Sequence, residues 1–378
     1  MTDSLGPRFP GKALPEDAKE AHLLGIYSQR GGRFYMQRIK VPQGRIRPGQ
    51  LRDLAGLVQR YAPDYPLHLT TRQDVELHGL LAEDLGAIQY GIRDAGLTSV
   101  ATGGDSVRNV TACPGNGVDA GTGDVADVAT SIERFVESLP WIRDLPRKFK
   151  VSLSGCPKAC ARPWINDLGL VANRDGTMRA VIAGSLGARP DLGLLLYEAL
   201  EPGDILPLVS ATLRLFYAEG DREHRGRARF RHVRQRLGEE EFRNRIGNLF
   251  EEEKRTLSAQ APTLERVQRA VPLRARLSLP LGDIAADAAV ELADAVQAAG
   301  AELRLGLQHD LFVYGHAPVG LSARLQALVN RPQVVACPGT AWCTRGIADS
   351  RAAAARVLDA LPDHCDVNVA IAGCPNNC

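Results

Sequence analysis

The sequence predicts an α+β protein made of one unit written twice, and three observations predict it. Pro42-Gln43-Gly44 and Pro280-Leu281-Gly282 each introduce the same succession of apolar patterns. Asn109-Val110-Thr111-Ala112-Cys113-Pro114-Gly115 returns as Gln333-Val334-Val335-Ala336-Cys337-Pro338-Gly339. Gly155-Cys156-Pro157-Lys158-Ala159-Cys160 returns as Gly373-Cys374-Pro375-Asn376-Asn377-Cys378. Self-similarity of this kind marks duplicated structural units. Pseudo-twofold symmetry follows, with a ligand site expected between the copies, because clefts between domains are favoured ligand positions.

The elements follow in order. Leu51, Leu54, Ala55, Leu57 and Val58 recur at helical spacing, and Leu67, Leu69 and Thr71 alternate as a strand running on through Val75 and Leu77 to Gly79. In the second copy Ala289, Leu292, Ala293 and Val296 mark the helix. Leu303, Leu305 and Leu307 mark the strand, which continues past Asp310, the match of Asp74, through Leu311 and Val313 to Gly315. Lys148, Lys150, Ser152 and Ser154 alternate with Phe149, Val151 and Leu153. That spacing predicts a strand with its apolar side in the core and both ammonium groups on the other face. Ser350 to Leu361 reads as an Ala-rich helix, and Val367, Val369 and Ile371 as a strand.

With 378 residues, 44% hydrophobic and 24% charged, the chain has room for two or three domains with their own cores. A formal net charge of +2 predicts no strongly charged partner. No apolar run approaches the ~20 residues that cross a bilayer, and the first residues lack the layout of a signal peptide. A cytoplasmic location is expected, in which the eight cysteines stay reduced and favour metal ligation over disulfides. Seven arginines between Arg222 and Arg236 read either as a solvated helix face or as a nucleic-acid patch; no nucleic-acid or membrane partner is expected.

The chemistry concentrates in two sets of residues. Cys337-X5-Cys343 and Cys374-X3-Cys378 supply four thiolates, which suit a [4Fe–4S] cluster or a structural zinc. Zinc sites usually keep paired cysteines about two to four residues apart, so the wider loops favour iron and sulfur. The first copy has Asp119 where the second has Cys343. That leaves Cys113, Cys156 and Cys160 as buried remnants of the duplication, as ligands of a second cluster completed by Asp119 or water, or as cofactor-contacting or redox thiols. Cys365 stands outside either pair. The cations divide the other way: Arg72, Arg108, Lys148 and Lys150 face Gln308, Pro332, Asp366 and Asn368. Four cations confined to one copy read as an anion site, beside the plainer reading of an exposed polar strand.

These segments resemble the signature of the sirohaem-containing nitrite and sulfite reductases, from about Gly25 onward. The resemblance implies a ferredoxin-like half-domain in each copy at 25–97 and 271–328, after an N-terminal extension, 1–24. It implies a sirohaem and anion domain at 98–254, a linker at 255–270 and a cluster domain at 329–378. It implies a [4Fe–4S] cluster on Cys337, Cys343, Cys374 and Cys378, with Cys378 bridging to a sirohaem iron. Arg72, Arg108, Lys148 and Lys150 match the family's basic residues around the bound oxyanion. Arg30, Arg33, Arg38 and Lys40 are candidates for the sirohaem carboxylates, joined by Gln73 and Asn109. The implied reaction is six-electron reduction of sulfite to sulfide or nitrite to ammonia. No Gly-rich dinucleotide loop follows a strand, so electrons would come from a separate ferredoxin or NADPH-flavoprotein. Two features depart from the family pattern. The second copy has no counterpart of the residues after Cys160, as in a C-terminally truncated product, and Gly103 stands where some sulfite reductases have a cysteine. Rival readings are a precorrin-3B synthase-like enzyme of cobalamin synthesis, a non-enzymatic iron–sulfur electron-transfer or redox protein, and a zinc-stapled scaffold.

Overall fold

The computed structural model describes residues 17–257, 261–362, 365 and 367–377. Cys378 and Asp366 therefore lie outside the described residues. The chain gathers into two compact units, one taking the residues up to Gly103 together with those from Pro272 onward, the other Gly104–Val271.

The first unit opens with α1 (Ala18–Leu23), β1 (Ile26–Ser28), β2 (Tyr35–Lys40), β3 (Arg45–Ile46), α2 (Pro48–Tyr61), β4 (Leu67–Leu69), β5 (Asp74–Leu80) and α3 (Leu85–Asp94). Pro48 starts α2 where its missing N–H is not needed, and the Gln50 side chain accepts from the Arg47 amide at 3.0 Å. Leu51, Leu54, Ala55 and Val58 form the buried stripe expected from their spacing. The single strand expected through 67–79 is instead a hairpin, with β4 and β5 paired antiparallel. Its turn has four residues, so the apolar alternation keeps its parity across the bend. Gln73 turns the chain with a left-handed backbone (φ 58°), and the Thr70 hydroxyl accepts from the amides of Arg72 (3.2 Å) and Asp74 (3.0 Å).

The second unit contains β6 (Thr111–Ala112), β7 (Gly123–Asp124), α4 (Ala126–Ser138), β8 (Val151–Ser154), β9 (Leu168–Ala172), β10 (Met178–Ile182), β11 (Leu194–Leu200), α5 (Ile205–Glu219), α6 (Phe230–Leu237), α7 (Glu239–Leu257) and β12 (Glu265–Arg266). Five strands make one sheet in the order β11-β10-β9-β8-β6, and β12 pairs with β7. Phe149, Phe216, Phe230 and Phe242 pack in its core, with ring centroids 5.3–5.8 Å apart. β8 starts only at Val151, so Lys148 and Lys150 precede the strand and flank Phe149, whose bridge is to Val107. Ser152 and Ser154 lie buried, not on an open polar face, because β8 runs parallel between β6 and β9 and is covered on both faces. Of the segment read as a linker, α7 continues through Leu257 and β12 joins the β7 pair.

The first unit resumes with β13 (Leu273–Ser278), β14 (Asp283–Ile284), α8 (Ala286–Ala298), β15 (Glu302–Leu305), β16 (Asp310–Tyr314), α9 (Ala323–Gln326), β17 (Gln333–Ala336), α10 (Gly339–Trp342), α11 (Ser350–Ala360) and β18 (Asn368–Ile371). Here too the expected long strand is a hairpin, turned at His309 (φ 59°). The copies exchange short strands: β14 completes the β1-β2-β5-β4 sheet, and β3 completes the β13-β16-β15 sheet. Gly44 (φ 70°) and Gly282 (φ 83°) occupy the two crossing points. A Cβ on either would press on a backbone oxygen of the other copy, Leu305 O for Gly44 and Leu69 O for Gly282. These matched approaches, with α2 packed on α8 in a common core, are the pseudo-twofold arrangement of the duplicated ferredoxin-like halves. Among the described residues no helix is long and apolar enough to cross a membrane.

Candidate metal centre and anion site

The thiols of the second copy sit on loops drawn together by β17 and β18, which pair in parallel with Ala336 opposite Ile371. Cys337 leaves the end of β17, Cys343 follows α10, and Cys374 lies just past β18. Glycine makes the convergence possible. A Cβ on Gly346 would overlap the Gly339 backbone, and one on Gly373 would press on Ala348 O and Gly339 Cα. The amides of Ile347 (2.9 Å) and Ala348 (3.0 Å) both donate to Gly373 O. Two further amides point at sulfur: Gly373 N–H donates to Cys337 Sγ at 3.1 Å and Arg345 N–H to Cys343 Sγ at 3.4 Å. Such N–H···S bonds stabilise thiolate over thiol and tune iron–sulfur centres. Among the described residues no three His, Cys, Asp or Glu side chains close on one metal ion. A four-iron cluster spans more space than one ion, and the glycine cradle with amide-bonded sulfurs fits it.

Beside these loops lies a set of ionisable side chains that the motifs did not reveal. Register places Arg38, Lys40, His68, Asp74, Glu76, His78 and Asp283 on one face of the β1-β2-β5-β4-β14 sheet, opposite Ile39, Val75 and Leu77. The signal was present as Asp74-x-Glu76-x-His78, a period-two run that reads as an exposed face; these three are buried. Glu76 accepts from Arg38 Nε at 2.8 Å and pairs with His78 Nε2 at 3.2 Å. Burial raises its pKa, but Arg38 and then His78 more than offset that and hold it well below the usual carboxylate range. Burial pushes His78 down. The Trp342 ring stacks on His78 with centroids 4.1 Å apart, and the Arg351 guanidinium covers Trp342 at 4.2 Å. Arg351 also pairs with Asp283, which lies 2.8 Å from His68 Nδ1.

The cations proposed for sirohaem are placed as follows. Arg30 braces the cluster loops, its amide donating to Trp342 O at 2.9 Å and its guanidinium to Gly346 O at 2.6 Å. Arg33 is exposed over the Phe34 ring. Lys40 is buried opposite Asp74. Arg38 is engaged by Glu76 and Thr102 O, and the Gln73 side-chain amide donates to Leu305 O at 2.8 Å. Arg30 and Arg33 flank Gly31 and Gly32, where a Cβ would meet only open space, so their charge and the room around them fit a carboxylate-rich group.

In the second unit the backbone runs Arg108 beside the segment of Lys148 and Lys150. Val107 bridges Phe149 in parallel, and the Arg108 amide donates to Phe149 O at 2.8 Å. Residues paired across parallel strands share a face, so Arg108, Lys148 and Lys150 lie opposite the buried Phe149. Asn109, next in the chain, is fully buried. Arg72 belongs to the first unit, at the β4–β5 turn. The arginine run is largely consumed within the second unit: Arg225 grips Asp105 at 2.8 and 3.1 Å, Arg229 reaches Asp167 at 2.8 Å and Arg234 reaches Asp191 at 2.5 Å. Of the first-copy thiols, buried Cys113 donates a hydrogen bond toward exposed Cys160. That contact and then burial raise Cys113, and the same contact lowers Cys160 against the effect of burial.

Comparison with known proteins agrees with this layout. A family model described as the nitrite and sulphite reductase 4Fe-4S domain matches residues 103–254. One described as the nitrite/sulfite reductase ferredoxin-like half domain matches 27–95, so that together they take in more than half of the chain. The chain is 28% identical to the assimilatory ferredoxin-dependent nitrite reductase of Haloferax mediterranei, over 97% of this chain and 73% of that protein. It is 27% identical to the ferredoxin–nitrite reductase of Leptolyngbya laminosa, over 98% and 80%. The structure of the Mycobacterium tuberculosis NirA protein has the same fold, with a TM-score of 0.77 at 22% identity over 94% of this chain and 74% of that one.

Proposed function

The chain belongs to the nitrite and sulfite reductase family, whose cofactors are a [4Fe–4S] cluster and sirohaem, and from that premise we propose that it reduces nitrite to ammonia with electrons from a ferredoxin. The observation that carries this reading is the shared face of Arg108, Lys148 and Lys150, three cations beside paired strand ends in the copy that lacks the full cysteine set. Similarity to ferredoxin-dependent nitrite reductases favours nitrite over sulfite and a ferredoxin over a flavoprotein.

Cys337, Cys343, Cys374 and Cys378 would hold the cluster, and Arg30, Arg33, Arg38, Lys40, Gln73 and Asn109 are the side chains offered to sirohaem. When bound, these groups supply a binding position for the anion's nitrogen and a path for single electrons. The residues of the chain do the rest. Arg72 and Arg108 present planar forks that can grip two anion oxygens at once, whereas Lys148 and Lys150 present compact charges that can also pass a proton. Preorganised cations stabilise negative charge as electrons arrive, without the reorganisation that water would need.

The test is turnover by the anaerobically purified full chain with reduced ferredoxin. Ammonium formed from nitrite is expected. Sulfide from sulfite with no ammonium would overturn the nitrite assignment, and neither product would overturn the reductase reading.

A further inference from the structure

Asp74 and Asp310 occupy the same place in the two copies, each opening the second strand of its hairpin. Their surroundings differ. Asp310 is satisfied on both oxygens: the Gln308 amide donates to Oδ1 at 3.1 Å, and Gln333 (2.8 Å) and Arg276 (3.0 Å) donate to Oδ2. Asp74 is as deeply buried, yet its Oδ1 has no hydrogen-bond partner. A buried oxygen without a donor is costly for a carboxylate and better tolerated in the neutral acid. The charged groups facing it are Arg38 and Lys40 from β2, Arg72 from the turn and Glu76 from β5. Burial outweighs the three cations, and the Asp74 pKa is pushed up to about 6. The Thr70 hydroxyl ties the amides of Arg72 and Asp74 together, so the two side chains leave one fixed turn.

We infer that Asp74 supplies protons to the anion held at Arg72, an inference that rests on the reductase reading above. Reduction of one nitrite consumes six electrons and eight protons and yields ammonium and two waters, each departing oxygen taking two protons. The ferredoxin-class donor provides the electrons. Asp74 passes protons toward the departing oxygens and is refilled from solvent. Arginine and lysine ordinarily hold their protons far above neutral pH, whereas an efficient acid titrates near the working pH. A near-neutral carboxyl two positions from Arg72 thus adds a readier proton source to the lysines, whose own protons are held more tightly.

Two measurements on the holoenzyme test this. Infrared titration of the resting protein should show a carboxylic acid band that fades as pH rises through about 6, absent in Asp74→Asn and shifted in Asp74→Glu. Steady-state turnover of nitrite should fall with pH over the same range. Asp74→Asn should lower kcat roughly a hundredfold and remove that limb with little change in KM, while Asp74→Glu retains it and Asp310→Asn leaves the profile unchanged. If Asp74→Asn does not fold, an Asp74→Glu profile identical in midpoint to the wild type, or no titrating band in the wild type, overturns the inference. An Asp74→Asn enzyme with full kcat and an unchanged limb overturns it while nitrite reduction stands. A wild-type holoenzyme that turns over no nitrite overturns both.

Discussion

Trp342 lies stacked on His78, ring centroids 4.1 Å apart, and so ties the loop between Cys337 and Cys343 to the buried polar face of the ferredoxin-like sheet. Arg351 closes the other side of the indole. A stacked pair and a cation–π contact are together worth about 1–3 kcal/mol. Trp342→Ala should therefore raise local opening of this loop by roughly ten- to a hundredfold. Faster bleaching of the iron–sulfur absorption in air would report it, and Trp342→Phe should retain most of the protection. An unchanged bleaching rate in Trp342→Ala would remove the loop-bracing role.

Substitution of Cys337 or Cys374 by Ser should release all cluster iron together, whereas Cys156→Ser should leave it. The reason is ligand number: the second copy has Cys343 where the first has Asp119, although an amide points at sulfur in both, Gly373 N–H at Cys337 and Gly155 N–H at Cys113. Iron per chain decides it; loss on Cys156→Ser with retention on Cys374→Ser would move the cluster to the first copy.

Much of this fold was legible because the chain is its own comparison. Helices α2 and α8 follow directly from Leu51, Leu54, Ala55 and Val58 and from Ala289, Leu292, Ala293 and Val296. The two hairpins were not legible, since four-residue turns leave the apolar alternation in step and only the left-handed Gln73 and His309 betray the bend. The exchanged strands β3 and β14 have two residues each, too few for a pattern. The grouping of distant segments into one unit is a tertiary fact with no local signal. Candidate cysteines and cations were readable as motifs. His68, Glu76 and His78 were not, because alternating polar residues look the same whether they meet water or each other.

His309 gives a pH dependence with a definite sign. It is buried, its Nδ1 lacks a partner, and burial pushes its pKa down to about 3, with His68 adding to the effect. The unfolded chain takes up a proton near pH 6.5 and the folded one does not, so stability falls as pH drops below about 6.5. The slope approaches about 1.4 kcal/mol per pH unit for this residue. His78 is shifted in the same direction by burial and adds to it. Urea midpoints measured from pH 7 to pH 5 should decline, and His309→Gln should flatten the decline. A steeper decline in His309→Gln would show that the folded state protonates this histidine.

The sharpest prediction concerns Lys150 and its match Asn368, because the duplication supplies an internal control. Arg108, Lys148 and Lys150 share one face beside Phe149, and the corresponding positions of the second copy carry no cation. A charge-assisted contact to an anion is worth about 1.5–3 kcal/mol, or roughly ten- to a hundredfold in a rate or binding constant. Arg108→Gln should chiefly raise KM for nitrite, since it removes a fork that holds ground state and transition state alike. Lys148→Met and Lys150→Met should chiefly lower kcat, since a point charge that passes a proton acts as the bound anion changes. Cluster and sirohaem spectra should stay as in the wild type. Gln308→Leu and Asn368→Leu should leave both constants nearly unchanged, because neither position carries a cation to lose. Equal losses from substitutions in the two copies would mean that the charge asymmetry plays no part in turnover, and anion binding would have to be sought elsewhere on the chain.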